Sequence, residues 1–401
     1  MSPLPPTRRA RAAVFLAAVL GAGNAFGAAI GQPLAQYSPA QSDAILAGPI
    51  FGLATGAYGF EPARYPVALY AVSYRTTNPY LGQARESASG LIALPLGAPG
   101  PLPVLEYQHG TDFSRHSVPS HPESCLEARA VAAAFAGHGY AVFMPDYIGK
   151  GISTSPHTYM LARGEARACR DMLEAGRRFC SRRHVRLSRD IFLSGWSQGG
   201  HATMAFLRLL EREKYPGVRA AAPIAGPYDL YLTWTLWLTQ PASPMAPSLL
   251  AYMISSYEHH YGLPGLLRSA LKPPYQGLPE NTFDTDPVPP DAVARFGRTP
   301  QDLLRADFIA AVISGSGVFS RKLRENATCL WRGATPVRFY YGEADDIVPP
   351  VVTRKAYERM KSLGAPVWLA DAGRSAGHRE AFLFALADAR RWFDRLRSAG
   401  E

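Results

Sequence analysis

The chain has 401 residues, 47% of them hydrophobic and 18% charged. That balance excludes an intrinsically disordered chain and allows a sizeable core, in one large domain or two small ones. The counts of 35 prolines and 36 glycines argue for many loops and against a helix bundle. The net charge of +10 is scattered, with no basic run interleaved with aromatics, so nucleic acid is not an expected partner.

Residues 1–29 read as an export signal. Arg8, Arg9 and Arg11 form a basic start, Ala12 to Leu20 an apolar stretch, and Ala25 to Ala29 a zone of small residues. The apolar stretch is too short for a stable membrane span. An uncleaved anchor is the alternative; the favoured expectation is a secreted or periplasmic protein. Export gives weight to the even number of cysteines, Cys125, Cys169, Cys180 and Cys329, which predicts two disulfides. A helix over residues 165–183 would hold Cys169 and Cys180 about 16 Å apart, beyond bridging distance. They would then pair with Cys125 and Cys329 in some order, buried free thiols being the alternative. No Cys/His spacing matches a zinc site.

From residue 28 to 64 the sequence is irregular and rich in Gly, Pro and Ala. Val67 to Thr76 and Ser87 to Leu94 read as a strand and its hairpin partner. Pro103 to Gln108 is a short buried strand ending in His109-Gly110-Thr111-Asp112. An alanine-rich helix spans Glu123 to Gly137, and Tyr140 to Met144 is the next strand. A glycine-rich turn, Pro145 to Gly151, leads to a helix over Glu165 to Arg183. Strand Ile191 to Leu193, a helix over Ala202 to Leu210 and strand Val218 to Ile224 follow. This alternation predicts a mostly parallel sheet with helices on both faces and its strand C-terminal ends along one edge.

Residues 227–335 break the rhythm. They are rich in proline and aromatics, including Trp234, Trp237, Tyr252 and Tyr257, and lack a clear strand. The expectation is a helical cap inserted into a core made of residues 30–226 and 336–401. The core resumes with strand Pro336 to Tyr341, helix Val352 to Leu363, strand Val367 to Ala370 and a last helix, Glu380 to Leu396.

Gly195-Trp196-Ser197-Gln198-Gly199 sits between a strand and a helix, the context of a nucleophile elbow. The serine needs a tight turn, so the residues two positions either side must be small. The helix start beneath it favours negative charge on a substrate oxygen. Gly373-Arg374-Ser375-Ala376-Gly377 repeats the pattern. Ser375, however, has no room after it for an acid loop and a separate histidine loop, which follow the nucleophile in this order of elements. Ser197 is therefore the expected nucleophile. Of ten histidines, only His378 lies in a loop after a late strand and past an acid loop, which makes it the expected base. Asp345, just past a strand end, is the expected acid, with Asp346 its nearest rival and Glu343 and Asp371 weaker ones. The oxyanion would take the amides of Gln198 and Thr111, with Asp112 as second choice to Thr111. His109 and His201 are expected to brace the structure, and His259 and His260 to face solvent.

The set Tyr107 to Thr111, Pro145-Asp146-Tyr147-x-Gly149-x-Gly151, His157-x-Tyr159, Asp171-Met172-Leu173, Gly195 to His201 and Asp345/His378 resembles the α/β-hydrolase superfamily. Within it, the set is similar to the secreted lipase/esterase branch, from about Pro103 onward and weakly over residues 227–335. The resemblance implies an α/β-hydrolase fold and hydrolysis of small-molecule or lipid esters through an acyl-serine, without metal or organic cofactor. Substrate specificity and oligomeric state are not fixed by it. A peptidase or acyltransferase with the same triad is the nearest alternative. A non-catalytic binding protein of the same fold is the alternative from a different class.

Overall fold

Nine strands form one sheet in the order β1-β2-β3-β5-β4-β6-β7-β8-β9 in the computed structural model, which describes residues 33–398. The expected export signal lies outside the described residues. The chain opens with β1 (Ala35–Tyr37) and α1 (Pro39–Ala47), followed by β2 (Val67–Asn78) and β3 (Ala84–Pro95). These three strands pair antiparallel, and β3 pairs antiparallel with β5 (Ala141–Pro145). The remaining strands, β4 (Leu102–Gln108), β6 (Leu187–Trp196), β7 (Val218–Ile224), β8 (Val337–Tyr341) and β9 (Val367–Asp371), run parallel to their neighbours and to β5.

The segment read as irregular thus contains β1 and α1. The helix has almost no amphipathic pattern, yet it carries a start signal. Ser38 accepts from the Gln41 amide, the Gln41 side chain accepts from the Ser38 amide, and Pro39 occupies the first turn.

Helices α2 (Leu126–Phe135), α3 (Ala162–Arg182) and α4 (Gln198–Arg212) follow β4, β5 and β6, while α11 (Pro350–Ser362) and α12 (His378–Ser398) follow β8 and β9. Side chains alternate along each strand, so the sheet feeds two apolar layers. On β4, Val104 enters one layer with α3, α4 and α11; Leu105 and Tyr107 enter the other with α1, α2 and α12. Between β7 and β8 the chain forms α5 (Leu230–Thr239), α6 (Ala246–Tyr261), α7 (Leu266–Ala270), α8 (Pro300–Leu303), α9 (Ala306–Ile313) and α10 (Gly317–Glu325). These helices share a third apolar cluster built around Trp234, Tyr252, Tyr257 and Phe319.

The expected disulfides are not formed. All four cysteines are free and buried. Helix α3 is continuous and keeps Cys169 from Cys180. Cys125 lies in the layer across the sheet from Cys169, Cys180 and Cys329. Burial pushes the Cys180 and Cys329 thiols up to about 12, so they persist as unreactive thiols. DTNB should find no reactive thiol in the native protein within minutes and all four after denaturation. Reductant should leave the melting midpoint unchanged; a drop on reduction would contradict the free-thiol arrangement.

Candidate active site

At the end of β6 the backbone turns sharply, with Ser197 at φ 59° and ψ −118°. A serine tolerates that positive φ only where the surroundings enforce it. The enforcement comes from close packing against β4. A Cβ on Gly199 would overlap the Gln108 carbonyl, and one on Gly195 would lie 2.6 Å from the same oxygen. The Ser197 amide donates to the Ile224 carbonyl at 2.9 Å, tying the turn to β7. Helix α4 begins at Gln198, so its first amides lie beside the serine.

His378 opens α12, and its carbonyl accepts from Trp196 Nε1 at 3.0 Å. Its Nδ1 lies 2.7 Å from Asp345 Oδ2. A carboxylate there fixes the proton on Nδ1 and leaves Nε2 as the acceptor. Nε2 is buried and makes no hydrogen bond, and no hydrogen bond joins it to Ser197. Both residues line one cavity of about 240 Å³, with Thr111, Trp196, Leu249 and Ile347 among its walls. Asp345 is itself held by the amides of Ile347 at 2.9 Å and Val348 at 2.8 Å.

The rivals point elsewhere. Asp346 is exposed and accepts from Ser243 Oγ at 3.3 Å. Glu343 pairs with Arg354, and Asp371 accepts from the Gly373 amide. Ser375 is exposed in the loop before α12. Thr111 lies on the cavity wall, and Gln198 opens α4 directly after Ser197. Asp112 also lines the cavity, but its carboxylate turns back to accept from the Ser114 amide at 2.7 Å.

Neighbouring histidines brace these loops. His109 packs at a tilt on Tyr147, 4.5 Å between ring centres, and its ring nitrogens lie 2.7 Å from the Gly110 carbonyl and 3.3 Å from the Asp146 carbonyl, of which a neutral ring donates to one. Burial lowers it to about 4, so it stays neutral. His201 is fully buried between Glu165 Oε2 at 2.7 Å and the Asn326 carbonyl at 2.8 Å. The Gln198 side chain bonds Glu165 as well, which fixes the first residue of α4. In the helical segment His259 is exposed, while His260, expected to face solvent, is buried against the Pro156 carbonyl.

Two features of the site escaped the sequence reading. Phe51, from the segment read as irregular, lines the cavity and packs on Trp196 at 5.2 Å. Glu127, in the first turn of α2, is buried on the same cavity. It accepts from Tyr107 Oη at 2.7 Å and from the Gly110 amide at 3.1 Å. No local pattern distinguishes it from an ordinary helix-start glutamate, because its partners lie on another element.

A family model described as serine aminopeptidase, S33, matches residues 121–374. The chain belongs to that family. It also matches a provisionally assigned hydrolase of Legionella pneumophila at 25% identity and a TM-score of 0.83, over 91% of this chain and 96% of that one. The rice cell wall degrading esterase LipA of Xanthomonas oryzae matches at 25% identity and a TM-score of 0.77, over the same shares. The closed state of Candida antarctica lipase A matches in fold alone, at 16% identity and a TM-score of 0.66, over 83% and 78%. No curated protein matches the sequence. The S33 chain is therefore a hydrolase with the α/β-hydrolase fold.

Glu127 makes this S33 site sensitive to pH. Burial pushes its carboxyl up to about 8, against the pull of its bonds to Tyr107 and Gly110. Between its ordinary value of 4.5 and about 8 the native state holds a proton that the unfolded chain has lost. That stability is complete below the ordinary value and is lost as pH rises through the folded one. Thermal melts should therefore show wild type losing more stability than Glu127→Gln between pH 5 and 9; parallel slopes would count against the assignment.

Proposed function

We propose that the protein is an exported serine hydrolase of carboxylic esters. Ser197 attacks the ester carbonyl while His378 Nε2 takes its proton. Asp345 keeps the imidazole in the right tautomer and steadies the imidazolium. The amides of Gln198 and Thr111 hold the oxyanion, and water then releases the acyl group. The observation that carries this reading is the short Asp345–His378 bond with the other imidazole nitrogen left unpaired on the cavity that Ser197 lines. A serine–histidine bond that forms only with substrate is common in unliganded hydrolases.

The cavity fits a small acyl group and is mostly apolar, with Leu249, Ile347 and Trp196 on its walls. A second cavity of about 440 Å³ shares Thr111, Asp112, Ser117 and Met245 with it and leaves room for a larger group beyond the scissile bond. The similarity to an esterase at 25% identity over most of both chains points the same way. The export part of the proposal rests on residues 1–29.

The family description makes an aminopeptidase the second reading. Such an enzyme needs an anionic anchor for the substrate's amino terminus, and Asp112 and Glu127 line the cavity. Burial pushes Glu127 up to about 8, which weakens it as an ammonium anchor at neutral pH, and the Asp112 carboxylate is turned back onto the Ser114 amide. Ester hydrolysis makes no such demand. The protein should turn over p-nitrophenyl acetate and leave aminoacyl p-nitroanilides intact; the reverse preference would establish the peptidase.

Ser197→Ala should lose about 10⁴-fold or more in kcat on p-nitrophenyl acetate, and Asp345→Asn about 10³- to 10⁴-fold. A fluorophosphonate should add to Ser197 alone. Full activity in Ser197→Ala with loss in Ser375→Ala would transfer the nucleophile to the second motif.

A further inference from the structure

The mechanism above leaves a buried cation unused. Lys150 lies in the turn after β5, and its side chain is 1% exposed. Gly149 and Gly151 flank it with φ of 90° and 57°, and neither has room for a side chain. A Cβ on Gly149 would run into the His157 backbone, and one on Gly151 into Ser89 and Asp146. The turn is thereby forced to fold its lysine inward.

An ammonium has three donors, and all three are used. Lys150 Nζ donates to the Asp112 carbonyl at 2.7 Å and the Ser114 carbonyl at 2.9 Å, and pairs with Asp284 Oδ1 at 2.8 Å. The two carbonyls belong to the loop that carries Thr111. Asp284 belongs to the helical segment between β7 and β8, and its backbone amide donates to the Phe113 carbonyl at 2.8 Å. Burial opposes the Asp284 charge, yet the Lys150 ammonium and the hydrogen bonds to the carboxyl hold it below the usual carboxylate range.

The same loop is held from its other side. Thr111 Oγ1 lies 2.9 Å from Tyr159 Oη. Tyr159 stacks on Tyr252 at 4.3 Å and 16°, and the Tyr252 hydroxyl donates to Asp284. The contacts close a ring from Thr111 through Tyr159, Tyr252, Asp284 and Lys150 back to Asp112. A buried ion pair is a costly way to gain stability compared with apolar packing, but it fixes geometry in three directions at once.

We infer that Lys150 is a positioning residue: with Asp284 of the cap it holds the Thr111 amide at the oxyanion, so that seating the cap and assembling the oxyanion hole are one event. The inference rests on the ester-hydrolase reading and on Thr111 as an oxyanion donor.

The test uses the full chain and two variants. Lys150→Met combined with Asp284→Asn cuts the tie without leaving a lone buried charge. Tyr159→Phe keeps the aromatic stack and removes only the contact to Thr111. Fluorophosphonate titration counts the competent Ser197 in each preparation, and kcat and KM on p-nitrophenyl acetate are taken per titrated site. A merely structural role lowers the number of sites and leaves kcat per site alone. Positioning predicts a fall in kcat per site of about 10- to 100-fold in the double variant and about 3- to 10-fold in Tyr159→Phe, with KM within about threefold, since one oxyanion donor accounts for about 10²- to 10³-fold. If the double variant does not fold, Tyr159→Phe decides. An unchanged kcat per site, or a raised KM with kcat kept, overturns the positioning role while leaving the hydrolase reading intact. A wild-type protein whose Ser197 takes no adduct overturns both.

Discussion

The approach of the β6–α4 turn to the Gln108 carbonyl is the constraint on which the site depends. Without a Cβ at Gly195 and Gly199 the turn packs directly on the end of β4. That contact drives Ser197 to positive φ, at a cost of about 1–3 kcal/mol. The Ser197 amide bonded to Ile224 and the Thr203 hydroxyl bonded to Gln108 Oε1 at 2.7 Å hold the turn in place. Gln108 also leads straight into His109-Gly110-Thr111. One contact therefore sets both the direction of Ser197 and its distance from the loop after β4, so the two cannot drift apart independently.

Buried carboxyls around this contact are treated in two ways. Glu106 on β4 is fully buried, neither of its oxygens has a hydrogen-bond partner, and burial pushes it well above the usual carboxylate range. Burial favours its neutral form, as it does that of Glu127 below about pH 8. Asp345 is buried too, but takes donors from two backbone amides and from His378. Asp284 takes them from Lys150 and Tyr252. Glu127 has as many donors as Asp284 but no cation beside it, so the paired ammonium of Lys150, more than the number of donors, sets Asp284 apart from Glu106 and Glu127.

Much of this was legible in the sequence because it is written locally. Strand–turn–helix alternation gave the parallel half of the sheet, and the positions of Asp345 and His378 after late strands put them on the edge where they meet. Local reading failed where the cause is remote. The segment around β1 and α1 has no amphipathic stripe, so only its capping residues betray the helix. The cysteines were counted without knowing that the sheet would separate Cys125 from the rest. Glu127 and Lys150 look like an ordinary helix-start acid and a turn lysine until Gly110 and Asp284 are brought to them from other parts of the chain.

The four parts of the site are not anchored alike. Ser197 and the His378 carbonyl are held from within the core, by Ile224 and by Trp196. The Asp345 loop leans on the helical segment, where Trp237 Nε1 donates to the Ile347 carbonyl at 2.8 Å and Ser243 bonds Asp346. The Thr111 loop leans on it as well, through Asp284 and the Tyr252–Tyr159 stack. A shift of that segment would thus leave Ser197 and the His378 backbone in place and loosen the Asp345 loop and the Thr111 loop together. Helices that line a cavity usually govern only what enters; here they also bear on how firmly the edge of the sheet is held, because two of its loops are bonded to them.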